Sequence, residues 1–264
     1  MLETLLASLV ILMYLSLTGL LLYRLASAGQ GLSKQVLLLV GTLAIVIHAF
    51  LIYIHLYDQK GLELSFFTVF SLVTWVITTM ILLAAWRLPV ENLAIGIFPI
   101  AALSVLLRLV SHKVHHLSTA LSMGLEIHII TSIIAYSLLS LAALQAILLY
   151  VQDSHLHNKH PAGFVRALPP LQTMEDLLFR MIGMGFLILC ISLGTGLLYI
   201  DDLMSQHKTV LSVGAWIFFA VLLFGRWKFG WRGRIAIRWT LTGFAFLLLA
   251  YFGSKFVLEF ILHR

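Results

Sequence analysis

The chain has 264 residues, of which 61% are hydrophobic and only 11% charged, and its mean hydropathy is +1.03. Soluble domains carry about 25% charged residues and roughly 45–50% apolar ones, and a wet exterior has no place for this much apolar surface, so a soluble globular fold is excluded. The formal net charge of +6 is then a question of topology rather than of nucleic-acid binding, because the basic residues fall between hydrophobic runs.

Eight runs are long and apolar enough to cross a bilayer: 4–23, 36–56, 65–86, 92–109, 122–151, 177–199, 209–225 and 237–261. At about 20 residues per crossing they take about 160 of the 264 positions. Short connections remain, with no room for a soluble domain. The expected fold is all-α, a polytopic transmembrane bundle of about eight helices in which residues 1–264 form a single domain.

Span 1 carries Glu3 before its apolar core and Arg24 after it. A secretory signal has the opposite arrangement, so an uncleaved helix with its N-terminus outside is expected. The fifth run is too long for one crossing, and its tail, Leu148 to Gln152, is expected to tilt or to project into water. The connection from Gln152 to Asp176 contains Pro161 and the pair Pro169-Pro170. It predicts a cytoplasmic loop that ends in a helix start at Thr173, with Glu175 and Asp176 in a first turn where the helix dipole favours acids. In span 6, Gly183, Gly185, Gly194 and Gly196, with Ser192, predict a small-residue surface for close helix contact. Arg180, near the same end, can snorkel or pair with Asp176.

Of the 17 Lys and Arg residues, eleven lie after spans 1, 3, 5 and 7 or just inside the following helix, and six lie on the other side. The positive-inside rule makes the richer side cytoplasmic. Both termini then face outward, into the periplasm of a bacterial-type inner membrane. Arg226–Arg238 is the densest basic segment and the expected contact with anionic membrane lipid.

Eleven histidines in so apolar a chain are the feature that most needs a chemical account. His112, His115, His116 and His207 fall outside the outer ends of spans, with His55 at one and His263 near the C-terminus. His155, His157 and His160 fall in the cytoplasmic connection, and surface metal binding or simple solvation accounts for such clusters. His48 and His128 lie inside spans, where ionisable residues are costly and mark candidate sites. At 1.5 Å per residue, His128 sits about 9 Å below the start of span 5, and His48 about 12 Å below the exit of span 2. His55 shares a helix face with His48. His207 stands directly before span 7.

Zinc needs a compact set of three or four ligands, and Glu126 and Asp201-Asp202 are the nearby acids. Heme needs two axial ligands, an apolar slot and cations for its propionates. Arg108, Lys113 and Lys208 are on the correct side for that last task, so heme fits better. Trp216 in span 7, and Ser71 with Trp75 one turn apart in span 3, suit packing or heme stacking, and spacing favours packing. The single Cys190 excludes an intrachain disulfide, a Cys-x-x-Cys redox pair and covalent heme attachment; it reads as a packing residue. No Walker loop, dinucleotide fingerprint, His-Glu-x-x-His or nucleophile elbow occurs, so no enzymatic activity is expected.

Several motifs together resemble a known family. They are Leu168-Pro169-Pro170-Leu171-Gln172-Thr173-Met174-Glu175 followed by Leu178-Phe179-Arg180 and Gly185-Phe186, then His207-Lys208-Thr209-Val210-Leu211-Ser212 through Trp216. Gly230-Trp231-Arg232-Gly233-Arg234, Gly243-Phe244, Ala250-Tyr251-Phe252-Gly253-Ser254-Lys255-Phe256 and Ser71-Leu72 with Trp75 complete the set, and His128 precedes Ala135-Tyr136 as the family's histidine does. The pattern resembles the YpjD/HemX branch of the cytochrome c assembly superfamily, which includes the CcsA and CcmC heme-handling proteins. The resemblance runs along nearly the whole chain and is specific from about Glu126 onward. It implies non-covalent heme b with His128 and His207 as outer axial ligands of the iron, and a role in heme handling or cytochrome c-type biogenesis. With it, Lys208 and Arg108 are expected near the propionates, Trp216 along the slot and His48 as a second or transient ligand. Partners would be membrane lipid, heme and other cytochrome or heme-pathway proteins, with no nucleic acid. One departure is plain. Relatives that present heme to apocytochrome c carry an external Trp-Trp-Asp loop, whereas Ile200 to Lys208 contains no tryptophan. The alternatives from other classes are a regulatory or scaffolding subunit acting through basic cytoplasmic loops, and a metal or small-molecule transporter.

Overall fold

The computed structural model describes residues 1–27, 33–58, 61–63, 65–111, 116–117, 122–157, 168–199 and 207–253. They form two compact units, one of residues 1–119 with 161–168, the other of 120–160 with 169–264. Among the described residues are eight helices long and apolar enough to cross a membrane. The all-α, polytopic expectation is borne out. In hydrocarbon every backbone N–H and C=O must be satisfied within the span, and an apolar run meets that demand as a helix.

The first unit contains α1 (Leu2–Ala26), α2 (Lys34–Leu56), α3 (Phe66–Ala85) and α4 (Glu91–Val110). They close a ring in chain order, α1 against α2 and α4, and α3 against the same two. The ring's interior holds fully buried Tyr14, Leu17, His48, Ile81, Leu93 and Phe98, while Leu5, Leu9, Leu12 and Leu22 of α1 are exposed. Leucines on an outer face suit lipid as solvent. Ser65 starts α3 as its N-cap, its Oγ accepting from the backbone N–H of Thr68 at 3.4 Å. Three short antiparallel strands, β1 (Tyr57–Asp58), β2 (Gly61–Glu63) and β3 (His116–Leu117), pair in the order β1-β2-β3. They gather the connections that follow α2 and α4. Strands of two or three residues carry no readable periodicity, so the sequence did not announce them.

The second unit contains α5 (Met123–His157), α6 (Leu171–Tyr199), α7 (His207–Phe229) and α8 (Gly233–Leu248), the last followed by a π-helical turn at Leu249–Gly253. These too close a ring in chain order. Several boundaries differ from expectation, two of them at the connection from α5 to α6. α5 continues to His157, and α6 begins at Leu171 rather than Thr173. The Gln152 side-chain amide donates to Pro169 O at 2.9 Å and that of Gln145 to Met174 O at 3.0 Å, so the end of α5 is held on the start of α6. Pro170 O accepts the first helical bond, from Met174 N at 3.1 Å. A proline suits this place because its missing N–H is not needed there.

The earlier start moves Glu175 and Asp176 past the first turn, where they meet α7 and α8 instead of serving the dipole. Glu175 Oε1 accepts from Gly233 N at 2.6 Å, and Asp176 pairs with Arg226 at 3.3 Å rather than with Arg180. Arg226 also donates to Trp231 O at 3.3 Å and lies 4.5 Å from the Phe179 ring centroid. Arg234 pairs with Asp153 at 3.1 Å. Two arginines of the basic segment are thus held by the unit's own carboxylates. Gly230 and Gly233 sit at φ 66° and 57°, a conformation open to glycine, and allow the chain to reverse in three residues.

The small-residue surface of α6 is narrower than expected. Gly185, Leu189, Ser192 and Gly196 are buried, spaced so as to share one face. A Cβ on Gly185 would come 2.7 Å from Leu139 Cδ2 of α5, while Gly183 and Gly194 have open space beside them. They lie two residues off that stripe, about 200° around the helix. Gly185→Val is expected to overpack the α5–α6 contact and cost about 1–3 kcal/mol. Gly183→Ala is expected to be neutral or stabilising by up to about 1 kcal/mol. Thermal unfolding of the two variants in detergent checks the contrast.

Candidate functional site

His128 is on the second turn of α5, about 8 Å along the helix from its start. It is half-buried, and its Nδ1 lies 2.8 Å from Ser192 O of α6. A carbonyl oxygen can only accept, so Nδ1 carries the proton and Nε2 presents a lone pair. The Ser132 hydroxyl is 3.5 Å from Nε2, too long to occupy that lone pair, and its short contact is with Ser192 Oγ at 2.6 Å. An imidazole whose N–H is fixed by a backbone carbonyl, leaving the other nitrogen free, has the arrangement that metal-ligating histidines use. The small-residue face of α6 allows it. Gly185 and Ser192 bring α6 close enough to α5 for a main-chain oxygen to reach the ring.

His207 opens α7, as the sequence places it, but its side chain lies outside the described residues. Lys208, next to it, is exposed. α5 and α7 start on the same side of the second unit, because successive spans alternate in direction. His112, Lys113, His115 and His263 also lie outside the described residues, as do the side chains of His55 and His116.

Trp216 takes the packing role that its spacing favoured. Its Nε1–H donates to Cys190 Sγ at 3.1 Å, and its ring stacks on Phe186, centroids 5.7 Å apart and planes at 22°. Cys190 and Ser192 are two residues apart on α6, about 200° around its axis. Trp216 and His128 therefore approach α6 from opposite sides, and the structure does not bring them together.

His48 and Arg108 belong to the first unit, where they line one pocket of about 350 Å³ with Glu3, Thr68 and Ser71. His48 is 0% exposed. Its Nδ1 meets the Tyr14 hydroxyl at 3.1 Å and its Nε2 the Ser71 hydroxyl at 2.9 Å. Both ring nitrogens are engaged, so ligating a metal would require one of these bonds to break. Tyr14 also stacks on Phe98, centroids 5.4 Å apart, and Thr74 and Ser104 join α3 to α4 through hydroxyls 2.8 Å apart. Arg108 Nη1 donates to Ser111 O at 3.3 Å. The sequence reading missed Tyr14. Its signal was a tyrosine in mid-span, since tyrosine favours the membrane interfaces.

Residues 36–262 match the family model described as cytochrome c assembly protein. The chain is 32% identical over 239 residues to the inner membrane protein YpjD of Escherichia coli K12, covering 86% of this chain and 88% of that protein. It is 35% identical over 143 residues to an uncharacterized 28.8 kDa protein of Azospirillum brasilense, covering 52% and 53%. A shorter match, 26% over 93 residues, is to the cytochrome c biogenesis protein CcsA of Gloeobacter violaceus, covering 33% and 28%. No solved structure matches. The match over most of the chain, together with eight membrane-length helices among the described residues, identifies the chain as a member of the cytochrome c assembly protein family.

Proposed function

We propose that this multi-pass protein binds heme b non-covalently in a bacterial inner membrane and takes part in heme handling for cytochrome c-type biogenesis. The observation that carries the reading is His128. Its Nδ1–H is spent on Ser192 O, which orients a basic Nε2 for iron as a carbonyl does in ligated histidines. His207 would be the second residue to hold the iron, and the exposed Lys208 beside it would offer a cation for a propionate. Bound heme supplies an iron centre able to change oxidation state. The chain's own part is to hold the ring and fix the ligand tautomer. The outward placement of both termini, and with it of His128 and His207, rests on the uneven distribution of Lys and Arg.

The regulatory or scaffolding alternative has no comparable support, since Arg226 and Arg234 are engaged by Asp176 and Asp153. Absorption spectroscopy of the purified protein, titrated with heme in detergent, tests the reading. A saturable Soret band at one heme per chain is the expected result. A protein that takes up no heme under these conditions defeats it.

A further inference from the structure

At the end of the first unit where α1 and α3 finish and α2 and α4 begin, a second pocket, open to the surroundings, is bounded by all four helices. Its wall is hydrocarbon, from Leu17, Leu21, Leu37, Ile81, Leu82 and Phe98 among others. Three charged side chains reach it: Arg24, Lys34 and Glu91. Lys34 and Glu91 hold each other at 3.2 Å and cancel. Arg24 is left as the net charge of the lining, and its Nη1 is buried with no hydrogen-bond partner among the described residues. A buried guanidinium nitrogen without an acceptor calls for an anionic one.

We propose that this pocket binds an anionic phospholipid, the headgroup phosphate on Arg24 and an acyl chain along the leucines. Free phosphate sites gather several donors, commonly backbone N–H groups. Here one guanidinium meets an apolar wall, which fits an amphiphile. A zwitterionic lipid brings its own cation toward Arg24 and gains less. By the distribution of Lys and Arg this end of the unit is cytoplasmic, where juxtamembrane basic groups meet anionic lipid. The site is built from the first unit and the Arg226–Arg238 segment belongs to the second, and heme plays no part in the proposal.

Native mass spectrometry of the full-length detergent-purified protein, with phosphatidylglycerol or phosphatidylcholine added, tests the proposal. Wild type is expected to retain phosphatidylglycerol about tenfold better than Arg24→Gln, the usual consequence of losing one charge-assisted bond. Phosphatidylcholine retention should be the same in both. Equal retention of phosphatidylglycerol overturns the site. A parallel thermal-shift series with inorganic phosphate separates the sources: stabilisation matching that by phosphatidylglycerol overturns the lipid assignment in favour of the free anion. Glu91→Gln leaves Arg24 in place and frees Lys34, so phosphatidylglycerol retention should rise. No rise counts against the site even where Arg24→Gln fails to fold.

Discussion

His128→Ala is expected to abolish the Soret band of the heme-titrated protein while leaving its thermal transition almost unchanged. Loss of an outer partner to a metal-ligating histidine costs about 10–100-fold in affinity, and removal of the ligand itself should cost more. The fold should tolerate the change. His128 is half-buried, and the Ser192 carbonyl that it leaves still receives the Thr195 hydroxyl at 3.0 Å. Hydrogen bonds between membrane helices are worth about 0.6 kcal/mol on average, so a shift of a degree or two is the structural share. Ser132→Ala serves as the control. It removes a hydroxyl 3.5 Å from Nε2 without touching the Nδ1 bond, and should keep the heme. Full heme occupancy in His128→Ala would remove the residue from the site.

The opposite pattern is expected at His48. His48→Ala opens a cavity in the centre of the first unit and strips partners from the hydroxyls of Tyr14 and Ser71. A large-to-small change at a fully buried site, with buried polar groups left behind, costs about 3 kcal/mol. Thermal unfolding in detergent should show a clear drop, while heme binding per folded chain stays constant. Tyr14→Phe keeps the ring on Phe98 and loses only the hydroxyl, so about 1 kcal/mol is expected. A His48→Ala protein that unfolds normally but loses its heme would instead make His48 a ligand.

Hydropathy made the eight spans legible because the bilayer imposes a minimum length and satisfied backbones. It missed where α5 ends, since a helix that continues into water on the support of Gln145 and Gln152 has no apolar run to mark it. Charge counting likewise marked Arg226–Arg238 as one basic segment. The acids that hold Arg226 and Arg234 lie 50 and 81 residues away in sequence, beyond any local pattern.

The histidines divide along the same line. Depth singled out His128 and His48 together as costly groups inside spans, and the resemblance singled out His128 with His207. Helical periodicity tells which residues share a face, but not what that face meets. Only the packing of α5 on the Gly185–Ser192 stripe gives His128 a carbonyl at one nitrogen and an open lone pair at the other. Only the closing of α1, α2 and α3 around His48 fills both of its nitrogens, with Tyr14 from 34 residues away. One type of side chain at similar depth thus becomes a ligand candidate in one bundle and a structural bridge in the other. The partner of the second ring nitrogen decides which, and that partner is set by helix packing rather than by local sequence.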